Sequence, residues 1–363
     1  MIERLLIQNY KSIQNADLLF SNLNVLIGSN GAGKSNLISF FELLNALLKK
    51  RLGGFILERG GFERFLYGGY RHSNSMKCLI DFDNINAFFF SLKPALGNKA
   101  FIEQSGDYFN NKKENTKSYK QLWHHHLWDY AVEESSILER PEWRADYLRS
   151  FLKSFTVYHF HDTSISSAMR RDCQIGDNEF LRHDASNLAA FLFRLQLNEP
   201  QSLKMIEKVV SSVAPYFKSF KLRENPNKPG FITLEWEEVD SDAYMDAYSF
   251  SDGTLRFIAL ATLLLQPIIP DTIIIDEPEL GLHPAAINKL AAMIKRVAIN
   301  KQVIIATQST NLVNNFDPEN IVIVDRLHKQ TVFKRLDKSE LNTWLEDYSL
   351  GEMWEKNIIG GQP

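Results

Sequence analysis

Gly28-Ser29-Asn30-Gly31-Ala32-Gly33-Lys34-Ser35 follows an apolar run, Leu23 to Ile27, and leads into a segment of helical periodicity. The pattern G-x-x-x-x-G-K-[ST], set between a strand and a helix, is that of a phosphate-binding loop. Each residue type has a mechanical reason to be there. Gly28, Gly31 and Gly33 permit backbone conformations that present successive N–H groups to an anion, and the helix behind them adds its positive end. Lys34 is placed to reach the β- and γ-phosphates of a nucleotide, and the Ser35 hydroxyl to ligate Mg²⁺. The candidate nucleotide-contacting set is therefore Gly28, Ser29, Asn30, Gly31, Ala32, Gly33, Lys34, Ser35 and Asn36.

Outward from the loop, Leu37, Ile38, Phe41, Leu44, Leu47 and Leu48 recur at helical spacing and predict a helix to about Lys50, ended by Arg51-Leu52-Gly53-Gly54. Ile2 to Ile7 and Asp17 to Phe20 read as strands before it, and Met76 to Phe82 and Ile85 to Leu92 after it. Past residue 105 the composition shifts. Asn110 to Lys120 reads as a polar loop, Gln121 to Phe155 as mostly helical, and Thr156 to Phe160 as a short strand. Asn187 to Leu197 and Ser202 to Val213 read as helices. A Pro- and Asn-rich turn at Glu224 to Gly230 separates them from strands at Phe231 to Val239 and Tyr244 to Tyr248.

The last third alternates cleanly: helix Ser251–Leu265, strand Thr272–Ile275, helix Pro284–Ile299, strand Gln302–Ala306, short helix Thr310–Asn315 and strand Ile321–Val324. That rhythm predicts an α/β fold with a mostly parallel sheet and flanking helices. The expected organisation is an N-terminal lobe at 1–104 carrying the phosphate loop, a mostly helical insertion at 105–215, and a C-terminal lobe at 216–363.

Thr272-Ile273-Ile274-Ile275-Asp276-Glu277-Pro278 is a buried strand ending in two adjacent carboxylates, and a buried strand tip does not carry such a pair without a use for it. Asp276 is placed to hold Mg²⁺ through its water shell, and Glu277 to orient and deprotonate an attacking water. Ser251 stands 25 residues before Asp276 and reads as the N-cap of its helix.

Phe250-Ser251-Asp252-Gly253-Thr254, together with Asp276-Glu277-Pro278-Glu279-Leu280-Gly281-Leu282-His283-Pro284, resembles the RecF/SMC/OLD-like group of ABC ATPases. More narrowly, it is similar to the small bacterial AAA family ATPases related to RecF. Tyr158-His159-Phe160-His161-Asp162-Thr163, Asn187-Leu188-Ala189-Ala190 and the ending Gly351 to Pro363 also look like that subgroup, while 51–155 matches weakly. The resemblance implies an ABC-type P-loop ATPase head that pairs with a second copy and sandwiches two ATP molecules. Ser251 and Gly253 of one copy would then contact the γ-phosphate held by Lys34 of the other, and Glu279 to His283 would cross the contact. Relatives place a basic residue near the nucleotide where Lys11-Ser12 stands here. Their metal-contacting glutamine has only Gln104 as a candidate. Where many relatives carry a histidine that senses the γ-phosphate, this chain has Gln308, which donates a hydrogen bond but carries no charge. That implies slow or partner-tuned turnover. A role in DNA repair or anti-phage defence follows from the resemblance, as does the alternative of a scaffold that controls a separately encoded effector such as a nuclease.

The whole chain sets bounds on these readings. It has 363 residues, 44% hydrophobic and 23% charged, with a formal net charge of −3. That balance does not mark a polyanion-binding surface, so nucleic-acid binding is not shown by charge. No apolar run reaches the ~20 residues of a membrane-spanning helix. Met1-Ile2-Glu3-Arg4 enters a strand-like run directly, which reads as no signal peptide. Two cysteines, Cys78 and Cys173, make no disulfide or metal framework, and a cytoplasmic location is expected. His124-His125-His126 between Trp123 and Trp128 does not have the spacing to face one ion on a helix. His159, His161 and Asp162 read as packing and hydrogen-bonding residues sharing a strand face.

Overall fold

The computed structural model describes residues 1–82, 85–110, 123–141, 143–153, 155–241 and 243–362. β1 (Arg4–Tyr10) and β2 (Ile13–Leu19) form an antiparallel hairpin, so the first strand runs beyond Ile7 to the turn at Lys11. β3 (Leu23–Ile27) is buried at every position, as a central parallel strand covered on both faces must be. α1 (Lys34–Leu48) follows the phosphate loop directly. The Arg51–Gly54 segment stops α1 but opens α2 (Leu52–Glu58). Two N–H groups of that helix start, Leu52 and Gly53, donate to the Glu134 carboxylate at 3.1 and 3.0 Å, which offsets its two glycines.

β4 (Met76–Asp81), β5 (Asn86–Ala95), β6 (Lys99–Asn110) and β7 (Trp123–Val132) complete an antiparallel sheet of order β2-β1-β4-β5-β6-β7. β7 corrects the reading of Gln121–Phe155 as mostly helical: its aromatic residues favour a pleated edge, and among the described residues there only α3 (Trp143–Lys153) is helical. The expected polar loop lies, apart from Asn110, outside the described residues.

β8 (Phe155–Tyr158) leaves this sheet and joins the one that carries the phosphate loop. β9 (Cys173–Gln174) precedes α4 (Leu188–Asn198) and α5 (Pro200–Ser211), and β10 (Phe217–Lys221) follows them. The expected strand Phe231–Val239 is two: β11 (Phe231–Ile232) pairs with β9, and β12 (Glu235–Glu238) pairs with β10 and β13 (Tyr244–Asp246). Then come α6 (Asp252–Leu265), β14 (Thr272–Asp276), α7 (Pro284–Ala298), β15 (Gln302–Thr307) and α8 (Thr310–Val313). The chain finishes with β16 (Ile321–Leu327), β17 (Gln330–Arg335), α9 (Lys338–Leu345) and α10 (Leu350–Glu355).

The second large sheet runs β17-β16-β3-β15-β14-β8, parallel throughout except for β17. Its period of two explains the unbroken isoleucine run. Ile273, Ile275, Val303 and Ile305 face a core built with α4 to α7, while Ile274, Ile304 and Leu26 face one built with α1 and the antiparallel sheet. α1 is thus wedged between two sheets, which is why it buries residues almost all round. The phosphate loop after β3, the carboxylates after β14 and the turn after β15 leave the same C-terminal edge side by side. Among the described residues, no helix is long and apolar enough to cross a membrane.

Candidate nucleotide site

The phosphate loop is shaped by what lies against it. A methyl carbon at Gly28 would sit 2.1 Å from the Val324 carbonyl oxygen, and one at Gly33, where φ is +120°, 2.1 Å from Thr331 Oγ1. Thr331, fully buried on β17, donates through Oγ1 to the Ala32 carbonyl at 2.7 Å and shares a 2.7 Å hydrogen bond with Ser12 Oγ. Asn36 Nδ2 donates to the same Ser12 oxygen at 2.6 Å. Asn30, Gly31 and Ser35 stand exposed on the rim. Lys34 is buried, and its ammonium donates to the carbonyls of Gly28 and, at 3.1 Å, Ser29. Burial lowers its pKa, while the charges of Glu277, Asp276 and Glu279 pull it back up. Lys11 donates to Ser39 Oγ on α1 at 2.7 Å.

The carboxylate side is held differently. Asp276 ends β14 beside Ala306, and its carbonyl accepts from His161 Nε2 at 2.7 Å. Burial raises the Asp276 pKa and the Glu277 charge adds to it, with His161, His159 and Lys34 opposing. Glu277 has φ +41°, in the left-handed region, with its N–H on the Ala306 carbonyl at 2.8 Å. Its Oε1 accepts a hydrogen bond from Gln308 Nε2. Glu279 is buried, and its Oε1 accepts from Thr307 Oγ1 at 2.5 Å and from the Gln308 backbone N–H at 3.2 Å.

Ser251 caps α6 by accepting from the Thr254 N–H at 3.2 Å. Gly253 packs so closely on the turn after Glu279 that a methyl carbon there would lie 2.4 Å from the Gly281 carbonyl oxygen. Lys34 is coupled electrostatically to Glu277, Asp276 and Glu279, and Gln308 bonds Glu277. Among the described residues no hydrogen bond joins Ser251 or Gly253 to residues 28–36.

Several contributors went unread in the sequence. Arg256, buried on α6, donates to the carbonyls of Phe160, His161 and Leu280, tying the capped helix to the carboxylate turn. Arg170, also buried, donates to the carbonyls of Thr163, Ala247 and Phe250 and to Asp252 Oδ1. His159 bonds Glu42 of α1 at 2.7 Å. Hydrogen bonding is therefore the role of both histidines, as their alternation suggested, but beside the carboxylates. Gln104 lies instead in β6, between Ser91 and Tyr130 in the antiparallel sheet. The backbone of His124–His126 is strand, not helix, with His126 Nδ1 3.7 Å from Asp107. Among the described residues no group of three or more His, Cys, Asp or Glu is arranged to hold a metal ion on side chains alone.

The donor set fits a nucleotide and its cation: a loop in which Gly28 and Gly33 have no room for side chains, a buried ammonium, and carboxylates at the adjoining strand end. The fold is that of an ABC-type P-loop ATPase head. It aligns with the crystal structure of an SMC head bound to the C-terminal winged-helix domain of ScpA, with a TM-score of 0.61 at 17% identity over 94% of this chain and 99% of that one. It also aligns with an SMC head bearing an extended coiled coil and bound to the C-terminal domain of ScpA, from Pyrococcus furiosus. There the TM-score is 0.56 at 15% identity, over 95% and 98% of the two chains. The chain belongs to the family described as "AAA domain, putative AbiEii toxin, Type IV TA system", whose model matches residues 23–314. It is also 29% identical over 104 residues to the energy-coupling factor transporter ATP-binding protein EcfA2 of Staphylococcus epidermidis. That match spans 27% of this chain and 35% of the relative.

Proposed function

We propose that this chain binds ATP with Mg²⁺ and hydrolyses it between two copies of itself, and that closing and reopening the pair is a switch in DNA repair or anti-phage defence in the cytoplasm. The observation that carries the hydrolytic part is Glu277, a non-glycine residue at φ +41° on a strand tip, next to Asp276 and bonded by Gln308. Such a conformation costs about 1–3 kcal/mol and persists where the surrounding structure holds it, here through the Ala306 carbonyl and Gln308.

In this reading the N–H groups of Gly28 to Asn36 cradle the phosphates and Lys34 neutralises their charge. Glu277 takes the proton of the attacking water, and Gln308 orients that water. Mg²⁺, on Ser35 directly and on Asp276 through water, would supply charge neutralisation at the phosphate oxygens. The N-terminus of α6, with Ser251 exposed and Gly253 beside it, offers N–H groups to the γ-phosphate held by the second copy. Residues 1–104 and 216–363 supply most of the head. The stretch 105–215, expected as a mostly helical insertion, instead lends β7 and β8 to the head's two sheets, and its remaining part would pass the motion onward.

A second reading is an ATP-gated scaffold that restrains a separately encoded effector. The hydrogen bond from Gln308 to the proposed base favours it, because a base held in this way suits slow turnover. Measuring ATPase rate with and without DNA, and mass in ATP, separates the two. Glu277→Gln should slow hydrolysis roughly 100-fold or more and accumulate an ATP-bound dimer. If it does neither, the two-copy mechanism is wrong. Turnover indifferent to DNA, in protein that co-purifies with a native effector, selects the scaffold.

A further inference from the structure

Glu279 is a buried carboxyl that the proposed hydrolysis does not use. Both of its hydrogen bonds fall on one oxygen, and Oε2 has no partner. A buried polar atom left unpaired costs about 1–3 kcal/mol, so neutral packing would serve a purely structural turn better. Its donors indicate a different use. Thr307 Oγ1 and the Gln308 N–H both belong to the turn leaving β15, and the Gln308 side chain returns to Glu277, two residues before Glu279. The contacts close a ring: Glu277 through Pro278 to Glu279, across to the Gln308 backbone, and by the Gln308 side chain back to Glu277.

We propose that Glu279 is the positioning residue for Gln308, anchoring its backbone so that the side-chain amide meets Glu277 and the water on which Glu277 acts. The inference rests on the hydrolytic reading above. A glutamine in this role needs such an anchor. Ordering a long polar side chain costs up to about 2 kcal/mol of rotamer freedom, and a backbone free to drift would add to the loss. The two bonds from the 307–308 turn remove that drift, while the exposed Leu280 next to Glu279 leaves the same turn open to contact. In this role Glu279 acts through Gln308 and not on the substrate itself.

The test compares Glu279→Ala, Glu279→Gln and Thr307→Val with the wild-type chain. Three quantities are read: kcat at saturating ATP, KM for ATP, and amide hydrogen exchange of the 306–312 segment. Loss of the anchor in Glu279→Ala should lower kcat about tenfold, leave KM unchanged, and speed exchange at Gln308. Glu279→Gln keeps a carbonyl oxygen that accepts both donors and should restore kcat and protection. An alanine variant with full kcat, a loss that falls on KM alone, or a glutamine variant as slow as alanine overturns the proposal. Should Glu279→Ala fail to fold, Thr307→Val removes one donor at constant shape. It should lower kcat several-fold with faster exchange, and unchanged kcat overturns the proposal there too. A wild-type chain with no ATP turnover sinks the hydrolytic reading itself. The exchange measurement still decides anchoring in that case, and unaltered protection in Glu279→Ala rejects it.

Discussion

The phosphate loop and the carboxylate turn are neighbours at one sheet edge, but they are built from opposite materials. The loop is shaped by exclusion: Gly28 against the Val324 carbonyl and Gly33 against Thr331 leave no space for a side chain. The turn from Asp276 to Glu279 is fixed by polar side chains, through a ring of hydrogen bonds among Glu277, Gln308, Thr307 and Glu279. Exclusion gives one conformation. Hydrogen bonds with a net worth of about 1 kcal/mol each can open and reclose at modest cost. The comparison teaches that the part that would grip phosphate is rigid, while the part that would govern chemistry can be switched. Substitutions beneath the loop should therefore change binding, and those around the turn should change turnover.

The largest expected effect comes from Gly33→Ala. Its methyl group would overlap Thr331 Oγ1 at 2.1 Å, and at φ +120° the backbone resists any side chain. Thr331 is buried and bonded on two sides, so it has nowhere to retreat. Overpacking of this kind costs about 1–3 kcal/mol or more, so ATP affinity measured by calorimetry should fall by roughly 100-fold. Wild-type affinity in this variant would show that the loop is not held by exclusion, and the contrast with the turn would collapse.

The same contrast sets what the sequence disclosed. The loop was legible because glycine requirements are local: Gly28 to Ser35 states its chemistry in eight consecutive letters. The parallel strands were legible because each buried run is bounded by turns, and β3 begins and ends where the apolar run does. Asp276 and Glu277 stood out as carboxylates on such a run. The ring around Glu279 was not legible, because Thr307 and Gln308 reach it across 28 and 29 residues of chain. Thr331 was hidden for the same reason, its partner Ser12 lying 319 residues away. Strand β7 was missed because Trp123 to Val132 lacks clean alternation, and its strand character is decided by pairing with β6.

A smaller effect is expected from Thr331→Val, which keeps the shape beneath Gly33 but removes the donor to the Ala32 carbonyl. Ser12 loses its bond to Thr331 but keeps the one from Asn36, so of the two bonds removed only that to Ala32 bears on the loop directly. The cost of one net hydrogen bond, about 0.5–1.5 kcal/mol, corresponds to a two- to tenfold weakening of ATP binding with kcat little changed. A variant that binds normally but turns over slowly would mean that Thr331 serves the chemistry, and the division between loop and turn would need redrawing.

The smallest effect falls on stability and belongs to Glu279→Gln. The Glu279 pKa is raised in the folded chain, first by burial and further by the Glu277 charge, above its ordinary value of 4.5. A raised carboxyl contributes its full stability below that ordinary value and loses it as pH rises through the folded value. At neutral pH the wild-type chain therefore bears the cost of the raised carboxyl; glutamine removes that pH-dependent cost but places its amide NH2 where Oε2 has no partner. The melting difference between the two chains should therefore move in the glutamine variant's favour by a few degrees as the pH rises from 4.5 to near 7.5. Asp276, raised in the same direction, is present in both chains and cancels from the difference. A melting difference that stays constant across this range would mean that Glu279 is not strained by ionisation. Its unpaired oxygen would then carry no cost, and the turn would be as rigid as the loop.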